Sequence, residues 1–151
     1  MSRKNTLIML CGISGSGKST FRDLLVEQGM ECVCPDLIRK ELYGDESIQG
    51  DGKRVFDRAY RNAICYGISK KDCVFDATNI TKKARKNVIE QCRKYFDFIL
   101  CYYFTPDLIT SQKQNLNRER QVPLEIIYKQ YKKWETPTID EGFDYVSEIK
   151  Y

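Results

Sequence analysis

Histidine is absent from all 151 residues. Its absence removes the commonest general base, so any proton transfer here runs through a carboxylate or another group. The seven cysteines (Cys11, Cys32, Cys34, Cys65, Cys73, Cys92 and Cys101) are odd in number and include no Cys-x-x-Cys pair. Most fall within apolar runs, where a thiol acts as a small hydrophobe, which excludes a disulfide framework or a zinc site and predicts reduced, buried thiols. No apolar run approaches the roughly 20 residues of a membrane span. The first apolar stretch, Leu7 to Cys11 after Met-Ser-Arg-Lys-Asn, is too short for a secretory leader. A cytoplasmic or otherwise intracellular chain, off the membrane, is expected. Linkers, internal repeats and low-complexity segments are also missing, so residues 1–151 read as a single domain.

What is present is an ordinary globular composition, 42% hydrophobic and 30% charged, with a net charge of +4. Six basic residues against two acids occupy Gln112 to Lys133, and five acids against Lys150 alone occupy Trp134 to the end. That asymmetry suits an anionic ligand and equally suits a solvated helix face. Along the chain, strand and helix alternate. Strands are predicted at Thr6 to Cys11, Glu31 to Cys34, Cys73 to Asp76 and Phe98 to Phe104, with a short fifth near Tyr145 to Ile149. Helices are predicted from Ser19 to about Gln28, with Phe21, Leu24 and Leu25 inward, then over Leu37 to Leu42 and from Lys53 to about Lys70. Others cover Thr81 to Tyr95, Pro106 to about Arg118, and Pro123 to Trp134. Such alternation argues for an α/β chain whose parallel sheet is covered by helices on both faces and binds ligands at the carboxyl ends of its strands.

Gly12-Ile13-Ser14-Gly15-Ser16-Gly17-Lys18-Ser19 matches G-x-x-x-x-G-K-[ST] at every fixed position, after a buried strand and before an amphipathic helix. In such a loop the backbone N–H groups curl around an anion and the helix dipole adds to them. Gly12, Ser14, Gly15, Ser16, Gly17, Lys18, Ser19 and Thr20 are therefore the candidate ATP-binding residues. Lys18 is assigned to the β- and γ-phosphates and the Ser19 hydroxyl to Mg²⁺. Asp76, closing Val74-Phe75-Asp76, is a candidate for the metal, or else a helix cap, a job that Asn79 or Thr81 could also do. Ala77 stands where a glutamate would activate water, which leans toward transfer over hydrolysis. Asp36, after the second strand, is placed to accept the proton of an acceptor hydroxyl or to cap the next helix. Arg39, one turn later on the same face, would grip an anionic acceptor or face solvent.

The chain resembles the kinase domain of polynucleotide 5′-kinases, both the phage type and the type fused to a phosphatase in animal repair enzymes. The resemblance rests on the phosphate loop, on Asp36-Leu37-Ile38-Arg39, on Asp76-Ala77-Thr78-Asn79 and on Asn117-Arg118-Glu119-Arg120 before Val122-Pro123. It rests most distinctively on Tyr131-Lys132-Lys133-Trp134-Glu135-Thr136-Pro137-Thr138-Ile139-Asp140-Glu141-Gly142-Phe143. It implies a P-loop kinase-like sheet, expected in the order 2-3-1-4 with the short fifth strand as an addition. It further implies transfer from Mg²⁺-ATP, or another nucleoside triphosphate, to the 5′-hydroxyl end of DNA or RNA in nucleic-acid repair. By the same resemblance Asp36 is the general base and Arg39 meets the phosphate 3′ of the terminal nucleoside. Asp76 assists the metal, and Arg118 reaches the donor phosphates from a lid-like segment around 112–122. Gln114 stands where the family often has a second lid cation, with Arg120 as a substitute, and no D-x-D-x-T phosphatase signature occurs. A small-molecule, nucleoside or tRNA-linked serine kinase and a non-catalytic nucleotide switch remain as rivals, and the oligomeric state is left open. The cluster Lys82, Lys83, Arg85 and Lys86 could face a nucleic-acid backbone, but reads first as the wet side of a helix. Tyr102, Tyr103 and Phe104 read as core, and Trp134 and Phe143 as anchors of the tail.

Overall fold

The computed structural model describes residues 3–45, 52–118 and 121–150. Five strands, β1 (Thr6–Cys11), β2 (Glu31–Val33), β3 (Cys73–Asp76), β4 (Phe98–Tyr103) and β5 (Tyr145–Glu148), form one sheet in the order β2-β3-β1-β4-β5. Every pairing is parallel. The expected order holds, and the fifth strand extends it beyond β4. Six helices connect and cover the strands: α1 (Lys18–Glu27), α2 (Pro35–Tyr43), α3 (Gly52–Ile68), α4 (Lys82–Cys92), α5 (Leu108–Leu116) and α6 (Leu124–Lys133).

The period-two geometry of a strand sends alternate side chains of β1 into two different cores. Leu7, Met9 and Cys11 point into the larger one, with Phe75, Ile99 and Cys101 from neighbouring strands and Val55, Ala59, Ala63, Val88 and Cys92 from α3 and α4. Ile8 and Leu10 join Val74 in the smaller one, beneath Phe21 and Leu25 of α1. A fully buried side chain of this kind contributes about 1.5–3 kcal/mol, and Leu7, Met9 and Leu10 have no solvent exposure at all. Tyr60 stacks on Phe75, and Tyr103 meets Trp134 at the tail, where Phe143 is buried.

Several boundaries and faces differ from the sequence expectation. Helix α2 begins at Pro35, because the fixed φ of proline suits a first helical turn. Cys34 therefore occupies the cap position and Asp36 lies inside the helix. Thr81 caps α4 by accepting from the Ala84 N–H at 3.1 Å, and Asp107 caps α5. Leu24 faces solvent, since only Phe21 and Leu25 of α1 reach the small second core. Cys65 is exposed on α3, whereas Cys11, Cys34, Cys73, Cys92 and Cys101 are buried as free thiols. Arg85 is the largest departure. The expected wet-side cation has 0% exposure. Its Nε and Nη2 donate to the two oxygens of Glu141 at 2.7 and 3.2 Å, and Nη1 donates to the Asn79 carbonyl at 2.8 Å. Asn79 in turn donates from Nδ2 to the Leu10 carbonyl at 2.8 Å. The tail after α6 is thus hydrogen-bonded, through α4, to the carboxyl end of β1 where the glycine loop begins.

Candidate functional site

The carboxyl ends of β1, β2 and β3 open onto a cleft of about 600 Å³. Lys18, Ser19, Arg22, Asp36, Asp76 and Arg118 all contribute to its wall, as do Ser14, Gly15, Gly17 and Thr20. Most of the phosphate-loop residues, the Asp76 carboxylate of β3, the Asp36 carboxylate of α2 and Arg118 therefore meet in one place. Arg120 lies outside the described residues.

The loop is built by close backbone approaches. Gly15 adopts φ +80°, and a Cβ there would stand 2.4 Å from the Ser111 carbonyl oxygen of α5. Only glycine fits both constraints. A Cβ on Gly12 would lie 2.6 Å from Ser16 Oγ, and the Gly12 N–H donates to the Thr78 carbonyl at 2.9 Å. Gly12 and Ser16 therefore pack against each other and are not among the residues that wall the cleft. The Ser14 N–H is held by Gln130 Oε1 of α6 at 2.8 Å. Helix geometry leaves the N–H groups of Lys18, Ser19 and Thr20 without partners inside α1, and Gly17 supplies no side-chain cap. That end of the helix, with its partial positive charge, is where an anion gains most.

Lys18 is buried, and its ammonium donates to the Ile13 carbonyl at 3.1 Å. Burial pushes its pKa below the ordinary lysine value, while the carboxylates of Asp76 and Asp36 oppose the shift. Asp76 is only 6% exposed. Burial pushes its carboxyl up, against the pull of Lys18 and Arg22. Arg22 was not anticipated from the sequence. Its Nη1 donates to Asp76 Oδ2 at 3.0 Å, and its Nε and Nη2 reach Asp23 Oδ1 at 3.1 Å. The signal available was position: Lys18 and Arg22 are four apart on one helix and so share a face.

On the acceptor side, Asp36 Oδ1 accepts from Arg39 Nη1 at 2.7 Å, so the pair shares a face. The Asp36 side chain is 45% exposed and lines the cleft. Arg39 is 14% exposed and is not among the residues that wall the cleft. Its buried Nε has no hydrogen-bond partner among the described residues.

Ser19 and Asp76 offer hard oxygen donors on the same cleft. Mg²⁺ keeps several waters and takes one or two protein oxygens plus phosphates, so this sparse donor set fits it. Among the described residues no cluster of three or more His, Cys, Asp or Glu could hold a metal by itself. No helix among them is long and apolar enough to cross a membrane.

A family model described as an AAA domain matches residues 7–137. The bifunctional polynucleotide phosphatase/kinase of Schizosaccharomyces pombe is 26% identical across 99% of this chain and 35% of its own length. The L-seryl-tRNA(Sec) kinase of Methanococcus maripaludis is also 26% identical, across 91% of this chain and 56% of its own length. The chain thus spans about a third of one curated relative and a little over half of the other. Among solved structures, a chain of the Pnkp1/Rnl/Hen1 RNA repair complex superposes with a TM-score of 0.78 at 19% identity, covering 88% of this chain and 45% of that one.

Proposed function

From the premise that this chain belongs to the AAA domain family, we propose that it is a P-loop phosphotransferase acting on the 5′-hydroxyl end of a polynucleotide. The donor is ATP or another nucleoside triphosphate. The observation that carries this reading is the shared cleft: Asp36 stands on the same wall system as Lys18, Ser19 and Arg118. A pocket for a nucleotide alone needs no second carboxylate there. In a chain without histidine, that carboxylate is the group able to take a proton from an alcohol.

The chemistry follows from the placement. The 5′-hydroxyl oxygen bonds to the γ-phosphorus as the bond to the β,γ-bridging oxygen breaks, and a nucleoside diphosphate leaves. The hydroxyl proton passes to Asp36. Arg39, bonded to Asp36 at 2.7 Å, orients that carboxylate and offers positive charge to the phosphate 3′ of the terminal nucleoside. Lys18 and Arg118 neutralise charge spreading over the transferred oxygens, the usual source of catalysis in phosphoryl transfer. Mg²⁺, held through Ser19 and Asp76, would supply further neutralisation of the phosphates. Arg22 holds Asp76 in place.

The S. pombe relative and the RNA repair complex agree with a polynucleotide acceptor, and such an acceptor would place the protein in nucleic-acid repair. A second reading, transfer to the serine hydroxyl of a seryl-tRNA, is favoured by the equally identical M. maripaludis relative. Both use the same donor site and base. One assay separates them: γ-labelled ATP is offered with 5′-hydroxyl DNA, 5′-hydroxyl RNA, seryl-tRNA and a nucleoside panel. Label on a DNA or RNA end supports the polynucleotide reading. Label on seryl-tRNA or a nucleoside alone replaces it, and binding with slow hydrolysis but no labelled acceptor leaves only a nucleotide switch.

A further inference from the structure

Arg118 stands on the segment between α5 and α6, where an arginine has no helix or strand to hold it. A long cationic side chain loses rotamer entropy when fixed, and charge stabilisation is most effective when the cation is already in place. The structure contains a frame for that purpose which neither motif matching nor the donor chemistry identifies. Asn115, 1% exposed at the end of α5, donates from Nδ2 to the Val122 carbonyl at 2.7 Å. It also accepts the Val122 N–H on Oδ1 at 2.8 Å. One side-chain amide thus forms both bonds of a backbone-like pair and closes the base of the segment that carries Arg118. The Arg118 N–H donates to the Asn115 carbonyl at 3.2 Å, so the arginine is anchored to the same residue.

The frame is tied to the phosphate loop at two points. The Ser111 carbonyl of α5 packs where a Cβ of Gly15 would be. Gln130 of α6 accepts the Ser14 N–H at 2.8 Å, a bond spanning 116 residues of sequence. Buried amides satisfied on both sides hold a single geometry, because breaking either bond leaves an orphaned buried polar group.

We propose that Asn115 and Gln130 are positioning residues that hold Arg118 against the third phosphate of a bound nucleoside triphosphate, acting through α5, α6 and the Asn115–Arg118 backbone bond and not on the ligand. This rests on the assignment of Arg118 to the donor phosphates and is independent of which acceptor is used. A displacement of about 1 Å by a remote change is enough to cost roughly 10²-fold in such a constellation.

The test is the preference for ATPγS over ADP, measured by calorimetry with Mg²⁺ on the full chain, with thermal midpoints recorded in parallel. The wild type should prefer ATPγS, and Arg118→Ala and Asn115→Ala should each reduce that preference about tenfold. The double variant should lose no more than Arg118→Ala alone, because residues acting as one unit are non-additive. Gln130→Met, on a half-buried helix position, keeps shape without the acceptor and should lower the preference while the midpoint stays within a few degrees. A folded Asn115→Ala protein with the preference intact overturns the proposal, as do Asn115→Ala and Arg118→Ala losses that multiply. If Asn115→Ala does not fold, Gln130→Met and its combination with Arg118→Ala decide by the same two criteria. An unchanged preference in Arg118→Ala also overturns it. A wild type that labels no polynucleotide end overturns the acceptor assignment alone, since the nucleotide preference remains measurable.

Discussion

Replacing Glu141 by alanine should destabilise the fold more than any change at the cleft. Glu141 lies in a short 3₁₀ turn far along the chain from the glycine loop, yet it holds Arg85 by two bonds of 2.7 and 3.2 Å. Arg85 has 0% exposure and the Glu141 side chain 10%, so its removal strands a guanidinium charge in the interior. Breaking a buried pair on one side costs about 3–5 kcal/mol. Glu141 also accepts the Thr138 N–H at 2.8 Å, a capping bond worth about a further 1 kcal/mol. A loss of about 5 kcal/mol in a chain of 151 residues lowers the thermal midpoint by roughly 10–20 °C. With a urea m-value of about 2 kcal/mol/M it moves the midpoint by about 2.5 M. The single tryptophan, Trp134, packs on Tyr103 beside this region, so its fluorescence reports the transition directly. Combining Glu141→Leu with Arg85→Met removes both charges and should recover most of the loss, leaving the Asn79 carbonyl and the exposed Thr138 N–H without these partners. A Glu141→Ala loss below about 1 kcal/mol, or a double variant less stable than Glu141→Ala, would refute the reasoning.

At the cleft, Asp36→Asn should cut phosphoryl transfer by at least ~10²-fold while Kd for a triphosphate analogue changes little; full transfer activity removes Asp36 as the base. Arg39→Ala should raise KM for an acceptor carrying a 3′-phosphate more than for one without it, and an equal rise for both would place Arg39 in the fold and not at the acceptor. Stability should fall in acid through Asp144, whose carboxylate accepts from Arg93 and from the Ile99 N–H, both at 2.8 Å. These bonds hold its pKa below the usual 3.8, so their contribution is complete above that value and is lost as pH falls below it. Asp144→Asn should flatten the urea midpoint against pH below about 4, and an unchanged acid limb would show that other carboxylates set it.

The parts of this molecule that were legible in the sequence are those governed by local rules. The run Thr6–Cys11, the glycine loop and the helix after it each carry their own signal, whereas the strand order came from the family resemblance, because alternation alone fits several parallel orders. Asp36 and Arg39 were legible as a pair because three residues of helix place them on one face, and their 2.7 Å bond reflects that spacing. Arg85 was not legible. Its neighbours Lys82, Lys83 and Lys86 are exposed, and nothing local distinguishes one basic residue in such a row. What buries it is Glu141, 56 residues away, brought near by a tail whose composition reads only as acidic. Arg22 failed for a related reason: its carboxylate partner, Asp76, lies 54 residues on and across a strand crossing. The same limit hid Gln130, whose partner is a backbone N–H 116 residues back. Each of these three side chains joins segments that the chain separates, and two of them converge on the glycine loop or the carboxylate facing it. The distinctive ending from Tyr131 to Phe143 therefore acquires a physical meaning. Glu135 donates its N–H to the Ile80 carbonyl and accepts from the Lys82 N–H, while Glu141 neutralises Arg85. Its residues fix the chain beyond β3, on which Asp76 stands, and through Asn79 and Leu10 they reach the strand that presents the phosphate loop.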